Sequence, residues 1–254
     1  MGHLRGIVPA VTEHRFRHTL GRSWRLFRAF GHEQSDPDRF YGPLAQDSVH
    51  QVEAFGPIEG AMLLDVGGGP GYFADAFRAA GARYVGLDAD HAELTGRGHP
   101  GASMVIGSGM DLPFADGAFD VSYSSNVLEH VVEPWTMADE MVRVTRPGGL
   151  VVIAYTLWWG PWGGHETAPW HLLGGRYARR RYVRKHGHEP KNKFGESLFA
   201  VTAGSGVRWL RTHPDLVDVR AFPRYLPRWM HWLVRVPGLR ELGLWNVVLV
   251  GRRR

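Results

Sequence analysis

The residues Met62 to Tyr72, MLLDVGGGPGY, constrain the fold more than any other stretch of the chain. A short buried strand is predicted over Met62–Val66, and a tight turn of three consecutive glycines, a proline and a fourth glycine follows it. Glycine has no Cβ and tolerates positive φ, so the backbone of such a turn can approach a ligand closely. The N–H groups of a helix starting near Tyr72 would point at that ligand. The stretch therefore predicts a nucleotide site at the carboxyl end of a parallel sheet.

The spacing of the glycines distinguishes between kinds of nucleotide site. Dinucleotide dehydrogenases have G-x-G-x-x-G, and that pattern, started at Gly67, would need glycine where Tyr72 stands. The chain instead has Asp65-x-Gly67-x-Gly69-x-Gly71. This arrangement resembles motif I of the class I S-adenosylmethionine-dependent methyltransferases.

An acidic residue ends the next predicted strand, Arg83–Leu87. Asp88 follows the glycine loop by roughly 20 residues, the separation at which an acid accepts hydrogen bonds from a ribose. One carboxylate has two oxygens and can bind both ribose hydroxyls. Asp90 is a less suitable partner, and the alternative for Asp88 is a solvated turn residue.

Further segments resemble the same methyltransferase family and occur in its order. They are the Gly107–Phe114 loop (GSGMDLPF), which resembles the loop that holds the adenine, the Ala118–Val121 strand start (AFDV), and the Arg146–Gly149 turn (RPGG) before the predicted fifth strand, Leu150–Tyr155. The family usually has Asp where Ser108 stands. Ser108 offers one hydrogen bond but no carboxylate to the adenine amino group.

The resemblance implies an α/β fold, Rossmann-like, with a seven-stranded and mostly parallel sheet and helices on both faces. Residues 1–57 are expected to form an N-terminal helical cap. Residues 58–254 are expected to form the methyltransferase domain, with Trp/Arg-rich insertions on the substrate side at about 157–196 and 223–243.

The resemblance also implies S-adenosylmethionine as the cofactor and assigns residues to it. Asp65, Gly67, Gly69 and Gly71 would hold the methionine end, Asp88 the ribose, and Ser108, Gly109 and Met110 the adenine, while Asn126 belongs to the segment that lines the site beneath the methyl group. The sulfonium methyl is already activated, so the protein mainly positions the reactants for an in-line displacement.

An acceptor of high pKa, such as a sugar hydroxyl, also needs a base near it. The candidates are Glu129 and His130, which follow the fourth strand, and His165 and Glu166, which lie in the Trp-rich insertion. Histidine suits the task because it titrates near neutral pH. Each of the four could instead be a structural hydrogen-bonding residue. No H-E-x-x-H or similar spacing is present, so the sequence predicts no metal site.

The N-terminal segment has the pattern of an amphipathic helix. Phe16, Leu20, Trp24, Phe27 and Phe30 recur at steps of three or four residues among arginines. Such a helix can pack on the domain, lie on a membrane surface, or form a cleaved organellar presequence.

The C-terminal third is rich in tryptophan and arginine. Four tryptophans, Trp158, Trp159, Trp162 and Trp170, stand among glycines and prolines and exclude a regular helix or central strand there. The segment Arg176–Lys193 has eight basic residues and one acid. Basic side chains with interleaved aromatic ones suit anionic lipid or RNA, or simply a solvated helix face. The segment Tyr225–Leu242 suits either a membrane interface or a buried substrate subdomain.

Composition limits where the protein acts. There are no cysteines, which excludes disulfides and thiolate metal sites. No apolar run reaches the roughly 18 residues of a membrane span, and no signal-peptide core is present. The sequence therefore predicts a cytoplasmic protein with peripheral contact to the inner membrane face.

Three functions remain open. The first is transfer of a methyl group to oxygen of a small-molecule, lipid or glycolipid acceptor. A weaker resemblance to actinobacterial envelope-lipid methyltransferases, carried by Gly163–Glu166 and Arg181–His188, favours it. The second is RNA or protein methylation through the basic patches, although Ser125–Leu128 (SNVL) lacks the N-P-P-Y pattern of amino-group methylation. The third, motivated by Ser108, is a non-catalytic regulator that binds the cofactor.

Overall fold

The computed structural model describes residues 16–30, 37–92 and 103–254, and these form a sheet of seven strands in the order β3-β2-β1-β4-β5-β7-β6. The strands are β1 (Met62–Val66), β2 (Arg83–Asp88), β3 (Met104–Ile106), β4 (Phe119–Ser125), β5 (Thr145–Thr156), β6 (Leu216–Pro223) and β7 (Asn246–Arg253). Strands β1 to β5 pair in parallel, and β7 is antiparallel to β5 and β6. The predicted mostly parallel, Rossmann-like sheet is confirmed.

Helices cover both faces of this sheet. They are α1 (Leu20–Phe30), α2 (Pro37–Glu53), α3 (Ala74–Ala79), α4 (Pro134–Val144), α5 (Gly175–His186), α6 (Ala203–Thr212) and α7 (Leu239–Leu242). Successive side chains of a strand point to opposite faces, and β5 follows this rule. Ile153 joins the apolar cluster that contains α4 and α6, whereas Val152 and Ala154 join the cluster that contains α1, α2 and α3.

Most predicted element limits agree with the structure to within a few residues. The exception is β5, which begins at Thr145 and so includes the Arg146–Gly149 segment that was predicted as a turn before it. Helix α3 begins at Ala74 rather than near Tyr72, because the glycine turn continues until the Ala74 N–H donates to the Gly71 carbonyl (3.1 Å). The residue types of Ser35 and Thr202, each placed before a predicted helix, also predict two helix N-caps. The cap at Thr202 is confirmed, since its hydroxyl accepts the Ser205 N–H (3.1 Å), and Ser35 lies outside the described residues.

The Trp-rich insertion forms turns and two short 3₁₀ helices, His165–Thr167 and Trp170–Leu173, rather than a regular helix or strand. This confirms what its glycines and prolines predict. The second insertion contains a 3₁₀ helix, Arg228–Arg235, followed by α7.

Helix α1 packs on the domain through a face that the apolar spacing did not predict. Its buried side chains are Arg22, Leu26 and Ala29, whereas Leu20 and Trp24 of the predicted apolar stripe are 66% and 59% exposed. The packing face therefore depends on a buried arginine, and much of the apolar stripe contacts solvent.

A buried ion pair joins α1 to α2. Arg22 donates from Nε and Nη2 to the two carboxylate oxygens of Asp47 (2.7 and 2.6 Å), and the two side chains are only 5% and 6% exposed. Arg22 Nη1 also donates to the backbone carbonyl of Arg224 at the end of β6 (2.8 Å). These bonds fix both helices over one end of the sheet.

None of the helices in the described ranges has both the length and the apolar character required to cross a bilayer.

Replacing Asp47 tests this anchor. Asp47→Ala leaves the buried Arg22 guanidinium without its counter-ion, so we expect the free energy of unfolding to fall by about 3 kcal/mol. Urea denaturation measures it, with Gln46→Ala, an exposed change on the same helix, as the control. A loss no larger than that of the control would show that the pair contributes nothing to stability.

Candidate active site

The glycine loop is fixed between the ends of two neighbouring strands. The N–H groups of Gly67 and Gly68 both donate to the Leu87 carbonyl near the end of β2 (2.7 and 3.1 Å). Gly67 has φ +79°, and a Cβ there would lie 2.3 Å from a methyl of Val127, in the segment after β4. Only glycine meets both conditions, so the loop and that segment are in direct contact.

Asp88 lies beside the same loop. Its Oδ2 accepts the Gly69 N–H (3.0 Å), and its Oδ1 accepts the Asp90 N–H (3.0 Å). Each oxygen has a second lone pair, so the carboxylate can still accept two ribose hydroxyls. The space in front of Gly69 is open, because no atom lies within 4 Å of the position a Cβ would take. This cradle fits the nucleoside part of S-adenosylmethionine.

Asp65 lies beneath the loop rather than at its surface. It is 2% exposed and accepts a hydrogen bond from the Tyr84 hydroxyl (2.8 Å). Burial raises its pKa to about 7, the Asp88 charge adds to the rise, and the Tyr84 hydrogen bond opposes it. Asp65 therefore changes charge near neutral pH, directly under the segment assigned to the methionine end.

The predicted adenine loop follows β3. The Ser108 hydroxyl accepts the Met110 N–H (3.1 Å), which closes a local turn on the exposed surface. Arg143 of α4 fixes the rest of the loop by donating to the carbonyls of Leu112 and Phe114 (3.0 and 2.9 Å). The Ser108 side chain thus stabilises the turn of its own loop. Contact with an adenine is left to the backbone groups of that loop.

Helix α2 lies over the glycine loop. Tyr41 stacks on Tyr72, with ring centroids 4.3 Å apart and planes 12° from parallel. The family resemblance implies a helix that covers the cofactor here, and packing on the core is the alternative. The stacked pair lies at the end of the loop beyond Gly71.

The segment after β4 begins with a strained residue. Asn126 has φ +57°, which a non-glycine residue seldom adopts, and its Oδ1 accepts a hydrogen bond from Asn246 Nδ2 (2.8 Å). Strained backbone of this kind concentrates at functional sites. Asn246 was not among the predicted site residues, because it is the first residue of β7, far away in sequence.

Three of the four predicted bases converge beyond this residue. Glu129 and His130 lie on a 3₁₀ turn, Leu128–His130, and His165 approaches from the Trp-rich insertion. One ligand atom from each of Glu129, His130 and His165 lies within 4.8 Å of one from each of the others. We call these three residues the acid–imidazole cluster. Glu166, the fourth, accepts a hydrogen bond from Asn192 (2.9 Å).

The path of the insertion places His165 in the cluster. Gly164 packs against the ring of buried His171, where a Cβ would come within 2.4 Å, and His171 Nε2 contacts the Gly160 carbonyl (3.0 Å). His165 itself has φ +46°. Burial and the nearby His130 lower the pKa of His165 to about 3, so its ring is neutral at physiological pH.

The other two members are held by backbone groups. His130 Nδ1 is 2.7 Å from the Ser197 carbonyl and can only donate to it, which leaves Nε2 with a free lone pair. Glu129 is 2% exposed, and its Oε1 accepts the Thr156 N–H at the end of β5 (3.0 Å). The sequence did not identify Ser197 or Thr156, because backbone partners of this kind leave no residue signature.

The chain matches a protein family over its central part and individual proteins over nearly its whole length. The family described as "Methyltransferase domain" matches residues 64–153. An "Uncharacterized methyltransferase" of Mycolicibacterium gilvum (strain PYR-GCK) is 54% identical over 246 residues, covering 93% of this chain and 96% of its own. One from Mycobacterium leprae (strain Br4923) is 50% identical over 259 residues, covering 98% and 96%.

Solved structures share the fold at low identity. An S-adenosylmethionine dependent methyltransferase from Mesorhizobium loti is 18% identical with a TM-score of 0.53, covering 84% of this chain and 98% of its own. A SAM-dependent methyltransferase from Thermotoga maritima, described as a possible histamine N-methyltransferase, is 17% identical with a TM-score of 0.53, covering 91% and 100%.

Asp88→Ala tests the ribose assignment. Losing charge-assisted hydrogen bonds to the ribose, together with the bond to Gly69, should weaken S-adenosylmethionine binding by more than about tenfold. Calorimetric titration measures the dissociation constant, with Asp90→Ala as the matched control. Unchanged affinity in Asp88→Ala would mean that another residue binds the ribose.

Asp65→Asn tests the buried carboxyl. Between about pH 4 and 7 the folded wild type retains a proton that the unfolded chain has lost, so wild-type stability should fall relative to Asp65→Asn as pH rises, by about 4 kcal/mol at most. The difference should then stay constant above pH 7. Urea unfolding of both proteins at pH 4.5 and 8 measures it, and parallel pH dependences would contradict the raised pKa.

Proposed function

Because the chain belongs to the class I S-adenosylmethionine-dependent methyltransferases, we propose that it methylates an oxygen of a lipid or glycolipid acceptor at a membrane surface. Its family membership over nearly the whole chain identifies an enzyme rather than a regulator that only binds the cofactor. The oxygen and the lipid-like acceptor are the proposal.

The cofactor supplies an electrophilic methyl group on a positively charged sulfur. The chain's own residues bind and orient it. We assign the glycine loop, with buried Asp65 beneath it, to the methionine end, Asp88 to the ribose, and the loop of Ser108, Gly109 and Met110 to the adenine. Val127 contacts Gly67, so the segment after β4, which bears Glu129 and His130, lies beside this site.

The observation that carries the proposal is the acid–imidazole cluster next to that contact. An alkyl hydroxyl of high pKa must lose its proton as the new bond forms. In the transfer the C–S bond of the donor would break, the O–C bond would form, and the cluster would promote loss of the hydroxyl proton to solvent water.

The acceptor class follows from an exposed apolar surface, which we call the aromatic face. It consists of Leu20, Trp24, Phe27, Trp229, Trp232, Leu239 and Leu242, all at least 41% exposed. The 3₁₀ helix Arg228–Arg235 lies against the start of α1, since the Arg228 N–H donates to the His18 carbonyl (2.9 Å). Large exposed apolar surfaces mark interaction sites.

Charge favours an anionic bilayer as the partner of this face. Arg25, Arg28, Arg228 and Arg235 are exposed on the same two helices. Tryptophan and arginine together suit the headgroup layer, where an aromatic ring enters the acyl boundary and a guanidinium binds phosphate.

The basic helix α5 fits a nucleic-acid surface less well. Arg179 is neutralised by Glu189 and Glu196 (both 2.7 Å), and the Arg181 guanidinium lies over the Trp170 ring (3.8 Å). The two carboxylates offset the Arg179 charge, and the contact with Trp170 holds Arg181 against an aromatic ring.

Purified protein and methyl-labelled S-adenosylmethionine test the function directly. Incubation with fractionated cell extract from a deletion strain should place label in the lipid or glycolipid fraction, and that strain should lack a species 14 mass units heavier than its precursor. Label confined to RNA or protein, or an N-methyl or C-methyl product, would overturn the proposal.

Flotation with phosphatidylglycerol vesicles tests the aromatic face. Wild type should float at low salt, and the double variant Trp229→Ala/Trp232→Ala should partition at least about tenfold less, because burying even one large apolar side chain contributes about 2 kcal/mol. Val132→Ala, an exposed apolar residue elsewhere, is the control. Equal flotation of all three proteins would exclude the aromatic face as the contact.

A further inference from the structure

We propose that Glu129, His130 and His165 bind a divalent first-row transition-metal ion, such as Zn²⁺ or Mn²⁺. This inference rests on the proposed function, since it states how the acid–imidazole cluster acts on the acceptor oxygen. It replaces the expectation of no metal, which the absence of a compact ligand motif in the sequence suggested.

The first support is convergence without mutual hydrogen bonding. One ligand atom from each side chain lies within 4.8 Å of the other two, while the imidazole rings of His130 and His165 are centred 5.1 Å apart and tilted by 55°. Side chains that stabilised one another would be joined by hydrogen bonds of about 3 Å, and no hydrogen bond joins any two of these three. Their donor atoms therefore converge without being one another's partners, as the ligands of an ion do.

The second support is that buried polar atoms at this point lack partners. Glu129 Oε2 and His165 Nε2 are both buried and accept or donate no hydrogen bond. Leaving such atoms unsatisfied costs free energy, most of all for a carboxylate that is 98% buried. A cation bound by both atoms would remove that cost.

The third support is the set of backbone groups that orients the ligands. His130 donates through Nδ1 to the Ser197 carbonyl (2.7 Å), and Glu129 Oε1 accepts the Thr156 N–H (3.0 Å). Metal-binding histidines almost always donate their other N–H in this way, and ligating carboxylates are hydrogen-bonded in turn. Each of these two side chains therefore has one polar atom in a hydrogen bond to the backbone and a second polar atom available to an ion.

The donor set decides the type of ion. Two imidazoles and one carboxylate favour zinc, manganese, iron or cobalt over magnesium and calcium, which prefer oxygen ligands. Three protein ligands also leave at least one coordination position open, as in catalytic sites.

An acceptor hydroxyl in the open position would lose its proton more readily, because a bound cation lowers the pKa of an oxygen ligand. The imidazoles are then ligands rather than bases, and the proton leaves to solvent water. The methyl group moves as before, with the C–S bond breaking and the O–C bond forming.

Cobalt titration of untagged, chelator-treated protein tests the site. Wild type should bind one Co²⁺ with visible d–d absorption bands, and Zn²⁺ should displace it. His165→Ala, His130→Ala and Glu129→Gln should each weaken binding by at least about tenfold. The matched control is His213→Ala, a histidine that contacts Asp139 away from the cluster (3.4 Å).

Absence of Co²⁺ bands in wild type, or equal weakening by His213→Ala, would overturn the metal site. Titration of each variant with S-adenosylmethionine checks its folding, since none of the three ligands is assigned to the cofactor. Glu129→Gln keeps the shape of the side chain, so it still reports on the site if an alanine variant fails to fold.

The two proposals fail in different ways. Cobalt binding with no methylated lipid would leave the metal site standing and refute the proposed function. Full methyl transfer in excess chelator would refute the role of the metal and leave the proposed function standing.

Discussion

The contact between Gly67 and Val127 determines how the two halves of the site meet. Gly67 must be a glycine because Val127 occupies the space of its Cβ, and Val127 immediately precedes the turn that bears Glu129 and His130. The glycine loop, which we assign to the cofactor, and the turn that bears the acid–imidazole cluster are therefore packed against each other. A bulkier residue at position 67 would separate them and would disturb both.

Two buried carboxylates, Asp47 and Glu129, differ in how many of their oxygens have a hydrogen-bond partner. Arg22 and Asp47 form two short bonds with each other, so both charges are compensated. Glu129, buried as deeply, uses only one carboxylate oxygen. A buried carboxylate oxygen that lacks a partner calls for an explanation, and a bound cation would satisfy it.

The sequence predicted those parts of the site that depend on local pattern. The glycine loop, Asp88 and the Thr202 cap follow from residues close together in the chain. Parallel strands bring their carboxyl ends to one edge of the sheet whatever their side chains are, so the loops after these strands meet there. The position of His165 could not be predicted in this way. It depends on how the insertion packs Gly164 against His171, which no periodicity encodes. The packing face of α1 was missed for a related reason, since an apolar stripe does not reveal that Arg22 would be buried against Asp47.

The aromatic face and the cluster are joined through a short series of contacts. Phe27 of α1 stacks on Trp245 (5.6 Å), and Trp245 contacts Trp162 in the insertion (4.5 Å). The His165 N–H donates to the Trp162 carbonyl (2.8 Å). His165 of the cluster is therefore hydrogen-bonded to Trp162, which packs beside α1. If α1 binds a bilayer, the same contacts hold the insertion and its histidine in place. A lipid acceptor would then meet a complete cluster at the surface from which it is drawn.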